Sequence, residues 1–171
     1  AKGRLVREDV LEIIKKMPAS EVENYIFRNE EGQNFKNITT NWGLARPSNS
    51  NGAAYTDLDN DGDLDLVVNN INQPAYIYQN ESKNTNFLKV ELKGNAQNVQ
   101  GIGAKVLIYA AGKKQQLEQY PARGYLSSVS PVLHFGLGKI PTIDSVRVIW
   151  NSGMTEKIPA TMANQVLKIT E

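Results

Sequence analysis

The sequence contains no cysteine, only one histidine and no long apolar run. Without cysteine the chain has no disulfide framework, no thiolate zinc site and no cysteine nucleophile. A single histidine also leaves little room for imidazole metal sites or for a Ser-His-Asp triad. No stretch reaches the roughly 18 to 20 apolar residues of a membrane-spanning helix. We therefore expect a protein that neither spans a membrane nor acts as an enzyme.

The charges are balanced in number but not in position. The 171 residues include 19 Lys+Arg and 18 Asp+Glu, and five of the seven aspartates lie between Asp57 and Asp65. The basic residues of the second half mostly alternate with apolar ones, as on the solvent face of a sheet, and they form no stripe with interleaved aromatics. We therefore expect no nucleic-acid partner.

The order of apolar segments predicts an all-β, mostly antiparallel fold with a short N-terminal helix. Apolar residues recur at helical spacing from Leu5 to Met17, just before Pro18. Short aromatic and β-branched runs follow, separated by Asn, Gly, Ser and Pro, and predict strands. These runs are residues 25–27, 53–55, 64–68, 75–78, 87–92, 103–110, 115–120, 132–135, 145–150 and 165–170. The predicted organisation is a helical segment over 1–20, a blade-like β unit over 21–83 and a β-sandwich-like domain over 84–171.

One weak internal repeat supports the blade-like unit. Residues 25–30 (YIFRNE) resemble residues 76–81 (YIYQNE), and the 51-residue spacing is a plausible length for one four-stranded propeller blade. A propeller needs about four to eight blades, so one blade cannot close a ring. Either the chain is the tail of a longer propeller protein, or the unit packs on the second half of the chain.

Residues 57–65 (DLDNDGDLD) form the most informative stretch. Carboxylates at alternate positions around a glycine can converge on one ion, and this number of oxygen ligands suits calcium better than magnesium. We expect side-chain ligation by Asp57, Asp59, Asp61 and Asp65, backbone carbonyl ligation by Asp63, and water to complete the shell. An EF-hand would need a bidentate Glu where Val68 stands, followed by a helix. The alternative is a solvated acidic turn without a metal.

The loop and its flanks resemble a known module. Residues 52–57 (GAAYTD) and 65–70 (DLVVNN) are similar to an FG-GAP/VCBS-type repeat, the calcium-loop propeller blade also found in integrin α-chain heads. The resemblance implies calcium binding through the same residues, Asp57, Asp59, Asp61, Asp65 and the Asp63 carbonyl. Function as an integrin-like receptor does not follow from it.

The second half resembles an ASPIC/UnbV domain. The similar segments are residues 101–106 (GIGAKV), 124–128 (GYLSS), 133–138 (LHFGLG), 144–150 (DSVRVIW), 152–153 (SG) and 164–167 (NQVL). Such a domain usually follows FG-GAP/VCBS-type repeats in cartilage-acidic-protein-like secreted proteins. The resemblance implies the C-terminal part of a larger extracytoplasmic protein, in the bacterial periplasm, on the outer surface or secreted, with upstream propeller blades.

These patterns favour a calcium-stabilised binding or adhesion module that recognises a glycan or a protein. One alternative is a structural C-terminal cap of a propeller protein, with no ligand of its own. Another is a hydrolase that uses His134, which lies near Ser127, Ser128 and Ser130 in the sequence. No nucleophile elbow or third catalytic partner accompanies that histidine.

Overall fold

The computed structural model describes residues 6–16, 18, 21–30 and 32–171 of the chain. Leu5 and Met17, at the two ends of the predicted helix, lie outside the described residues. The helix α1 (Arg7–Lys16) has Glu8 and Asp9 in its first turn and basic residues in its last turn. These charges interact favourably with the helix dipole. Among the described residues, no helix is long and apolar enough to cross a bilayer.

Strands account for most of the regular structure after the helix. In chain order they are β1 (Val22–Glu23), β2 (Phe27–Glu30), β3 (Asn34–Asn37), β4 (Pro47–Ser48), β5 (Ser50–Thr56), β6 (Asp65–Asn70), β7 (Tyr76–Tyr78), β8 (Asn86–Lys93), β9 (Lys105–Ala110), β10 (Lys113–Glu118), β11 (Val132–Gly138), β12 (Thr142–Ile143), β13 (Ser145–Ile149), β14 (Thr155–Ile158), β15 (Thr161–Met162) and β16 (Gln165–Thr170). The predicted all-β fold with a short N-terminal helix is confirmed.

The chain divides into two compact units. The first unit comprises Ala1–Asn51 and Asn70–Pro74, and the second comprises Gly52–Asn69 and Ala75–Glu171. Within the first unit, β1 pairs with β4 and β2 pairs with β3, both antiparallel. Ile38 and Leu44 are the buried apolar side chains among its described residues.

The second unit contains the main hydrophobic core. One sheet has the strand order β10-β9-β13-β14, a second has β11-β8-β16, and β12 pairs with β15. Alternate residues of the strands supply the core, as in a two-sheet sandwich. The most buried of them are Leu88, Val90, Val106, Ile108, Phe135, Ile143, Val146 and Val148.

Two features of this unit position the candidate site. The 57–65 loop connects β5 and β6, which belong to the three-stranded sheet β5-β6-β7. Strand β8 is the central strand of its own sheet, antiparallel to β11 and parallel to β16. In the β8–β11 register Lys89 lies opposite His134, and the side chains of both residues are only partly exposed.

Candidate metal centre

The loop is shaped by aspartate side chains that accept hydrogen bonds from its own backbone. Asp59 Oδ1 accepts from Asp61 N at 3.3 Å, and Asp61 Oδ1 accepts from Asp63 N at 3.1 Å. Asp57 Oδ2 accepts from Gly62 N at 3.1 Å. The contacts of Asp59 and Asp61 are of a common kind, in which a short aspartate side chain accepts from the backbone N–H two residues further along the chain. The chain reverses through Asn60 and Gly62, whose φ values are 62° and 97°.

This turn brings three carboxylates together. Asp57, Asp59 and Asp61 each offer one oxygen, and the three oxygens lie within 4.8 Å of one another. Like charges at this separation repel, and a divalent cation with hard oxygen preference would relieve the repulsion. The cluster therefore has the donor chemistry of a calcium site.

Asp57 carries an additional sign of a cation site. Its side chain is only 6% exposed, and its Oδ1 is buried with no hydrogen-bond partner among the described residues. A buried carboxylate oxygen without a partner is costly, so it calls for a compensating group such as a water molecule or an ion. This unpartnered oxygen fits a calcium ion at the cluster.

Asp65 and Asp63 make contacts away from that cluster. Asp65 is almost completely buried, and its two oxygens accept from Leu58 N and Asn80 N, both at 2.8 Å. Asp63 Oδ2 accepts from Ser82 N at 3.2 Å, whereas its Oδ1 is buried and unpartnered among the described residues. The three-carboxylate group thus contains neither of them, and the full ligand set of Asp57, Asp59, Asp61, Asp63 and Asp65 stays a prediction.

The surroundings of the loop shift the pKa values of two of its aspartates. Burial, followed by the neighbouring charges of Asp61 and Asp65, raises the pKa of Asp63 to about 6. Burial also favours the neutral form of Asp57, but the hydrogen bond and charge of Lys89, with backbone N–H groups, outweigh it and hold the pKa of Asp57 below its usual value. The loop therefore concentrates negative charge that needs a counter-ion.

Strands β8 and β11 hold the loop from one side. Lys89 Nζ lies 2.6 Å from Asp57 Oδ2, and His134 Nε2 lies 2.9 Å from the Gly62 carbonyl oxygen. Because a carbonyl only accepts, His134 carries its proton on Nε2. The Phe87 ring stacks on the His134 ring, with centroids 5.6 Å apart at 16°. Burial lowers the pKa of His134, which favours this neutral form.

No motif in the sequence marks Lys89, Phe87, Asn80 or Ser82 as site residues. They lie 15 to 32 positions from their aspartate or glycine partners, and no local spacing marks them. Asn80 lies within the internal repeat, and this was the signal that the sequence offered for it.

His134 and Ser130 line a cavity of about 130 Å³ together with Asp57 and Lys89.

Two family models match different parts of the chain. Residues 94–171 match the family model described as ASPIC and UnbV. Residues 8–68 match the model described as an FG-GAP-like repeat. The chain carries an FG-GAP-like repeat followed by an ASPIC/UnbV domain. The candidate loop lies near the end of the FG-GAP-like match, whereas His134 lies within the ASPIC/UnbV match. The resemblance predicted from the sequence motifs is confirmed.

Curated relatives match a large part of the chain. Cartilage acidic protein 1 of Homo sapiens is 34% identical over 125 residues, and those of Mus musculus and Xenopus tropicalis are 32% and 33% identical over the same length. In each case the match covers 69% of this chain and 19% of the relative, so the chain spans about a fifth of the relatives' length. An FG-GAP-like repeat joined to an ASPIC/UnbV domain indicates a module of the extracellular type.

Proposed function

We propose that this chain is a calcium-stabilised extracytoplasmic module that binds a glycan or a protein and has no catalytic activity. The observation that carries the proposal is the convergence of Asp57, Asp59 and Asp61 within 4.8 Å in an FG-GAP-like repeat. The unpartnered Oδ1 of Asp57 supports it. The compartment would be the bacterial periplasm, the outer surface or the medium.

Calcium in this proposal is structural. It would neutralise the three carboxylates and fix the turn between β5 and β6. Because Gly62 and Asp57 contact His134 and Lys89, an ordered loop would also restrain β8 and β11. A ligand that binds only the folded state stabilises it by mass action. The second unit should therefore become more stable when calcium is present.

The first prediction concerns calcium and thermal unfolding. At a free calcium concentration about 100 times the Kd for calcium, the free energy of unfolding should rise by about 2.7 kcal/mol. This corresponds to a rise of about 5–10 °C in Tm. EDTA should reverse the rise. Differential scanning calorimetry with and without calcium measures it.

Two variants test the ligand assignment. Asp61→Ala removes a side-chain ligand and should abolish the calcium-dependent rise in Tm. Asp63→Ala keeps the proposed backbone carbonyl ligand and should retain most of the rise. Equal loss in both variants would refute the assignment, and an unchanged Tm in the native chain at millimolar calcium would refute the calcium site.

The second prediction concerns the binding partner. If the ordered loop positions a recognition surface, binding on a glycan array or to a candidate extracellular protein should weaken when EDTA is added. Asp61→Ala should reproduce that loss in the presence of calcium, and Asp63→Ala should not. Equal binding with and without calcium would show that the calcium loop does not position the recognition surface.

A structural role within a longer propeller protein is the second candidate. The FG-GAP-like match and the small fraction of the relatives that this chain spans favour it. In this reading the upstream blades of the parent chain are the partner, and the isolated module has no ligand of its own. A parent chain that loses calcium-dependent stability on deletion of this segment, with no loss of ligand binding, would favour the cap.

A further inference from the structure

The loop that forms the candidate ion site also makes an ion pair with a lysine. Lys89 projects from β8, and its Nζ lies 2.6 Å from Asp57 Oδ2 and 5.3 Å from the centroid of the Phe87 ring. The Lys89 side chain is 20% exposed and the Asp57 side chain 6% exposed, so solvent screens this pair less than a surface ion pair.

The two oxygens of Asp57 have different surroundings. Oδ2 accepts from Lys89 and from the backbone N–H of Gly62, whereas Oδ1 is buried and unpartnered among the described residues. A cation at the three-carboxylate cluster would therefore share one carboxylate with the ammonium of Lys89. Two positive charges on one carboxylate lie close enough to repel each other strongly.

We infer that Lys89 is a built-in counter-cation that holds the calcium loop folded when no ion is bound and lowers the loop's affinity for calcium. The inference rests on the proposed calcium site and names a residue that regulates it. Lys89 is a positioning residue, since it would act through Asp57 and not by touching the ion.

The chain offers a matched control for the charge of Lys89. Lys168 on β16 pairs with Glu91 at 3.3 Å, but its side chain is 75% exposed and it makes no described contact with the 57–65 loop. Lys89→Met and Lys168→Met change the net charge of the protein equally. Lys89→Arg keeps the positive charge at the site.

The test measures calcium affinity by isothermal titration calorimetry and Tm in EDTA. Lys89→Met should bind calcium about tenfold more tightly, because even water-like screening leaves a large repulsion between a divalent ion and an adjacent unit charge. The same variant should have a lower Tm in EDTA. Lys168→Met should match the native Kd. Lys89→Arg keeps the positive charge and should therefore lie closer to the native Kd than Lys89→Met does. The inference also allows Lys89→Met to be unfolded in EDTA. In that case its Kd is obtained from the dependence of Tm on calcium concentration.

The outcomes separate this inference from the proposed function. Native protein that binds calcium, together with Lys89→Met that binds it equally or more weakly, would overturn the inference and leave the calcium site intact. Tighter binding in both Lys89→Met and Lys168→Met would also overturn it, because the effect would then come from net charge. Native protein that binds no calcium at all would overturn both.

Discussion

At the scale of single residues, Gly62 determines whether the calcium loop can form. Its φ of 97° is a conformation that residues with a side chain rarely adopt. A Cβ at this position would lie 2.2 Å from Phe87 Cε1, well inside van der Waals contact. The Phe87 ring cannot move freely, since it stacks on His134, which bonds to the Gly62 carbonyl. The loop backbone and β8 thus approach each other as closely as a glycine permits.

Gly62→Ala should therefore destabilise the protein through two additive effects. Left-handed backbone strain costs about 1–2 kcal/mol, and forced overpacking against Phe87 adds about 1–3 kcal/mol. Gly153→Ala is the control, because Gly153 has a φ of 90° but no neighbouring atom within 4 Å of its Cβ position. It should show the strain cost alone. Urea unfolding curves measure both losses, and equal losses would mean that the contact with Phe87 contributes nothing.

Local and long-range residues differ in what the sequence can predict. The clustering of Asp57, Asp59 and Asp61 follows from alternate spacing within one turn, so the pattern itself predicts it. The counter-charge of Lys89 lies 32 residues from Asp57 and depends on which strand passes beside the loop. No pattern in one sequence specifies that neighbour, and the calcium ligand set itself stays a prediction.

At the scale of strands, the alternation of apolar and polar residues accounts for which residues form the core. In β8 the residues Leu88, Val90 and Leu92 are buried, and they alternate with charged residues on the opposite face of the strand. The fully buried Val146 and Val148 of β13 follow the same period. Alternation within a strand is a local property, so these elements could be predicted from the sequence.

The pairing between strands was less predictable. β16 pairs with β8 in parallel, with Gln165 opposite Leu88, although almost 80 residues separate them in the sequence. Parallel neighbours need a long connection, and nothing in either strand specifies its partner. β10 lies at the edge of its sheet, where its charged residues Lys113, Lys114 and Glu118 discourage pairing with a further strand.

At the scale of the whole molecule, the two units differ in how much apolar surface they bury. In the described part of the first unit, Ile38 and Leu44 are the buried apolar side chains, whereas several large ones are exposed. The exposed ones include Tyr25, Phe27, Phe35 and Trp42, which are 54–68% exposed. The second unit holds a continuous core across two sheets. Because burial of apolar surface dominates stability, the first unit should open more easily than the second.

Amide hydrogen exchange followed by mass spectrometry tests this difference directly. Amides of β8, β9 and β13 should exchange only through global unfolding, and amides of β2 and β3 should exchange about 100-fold faster or more, through local opening. Calcium should slow exchange in residues 57–65 and in β8, β9 and β13 without protecting β2 and β3, because the loop contacts Lys89 and His134 in the second unit. Equal protection across both units would mean that the chain unfolds as one cooperative body. Protection of β2 and β3 by calcium would mean that the stabilising effect of the loop extends beyond the second unit.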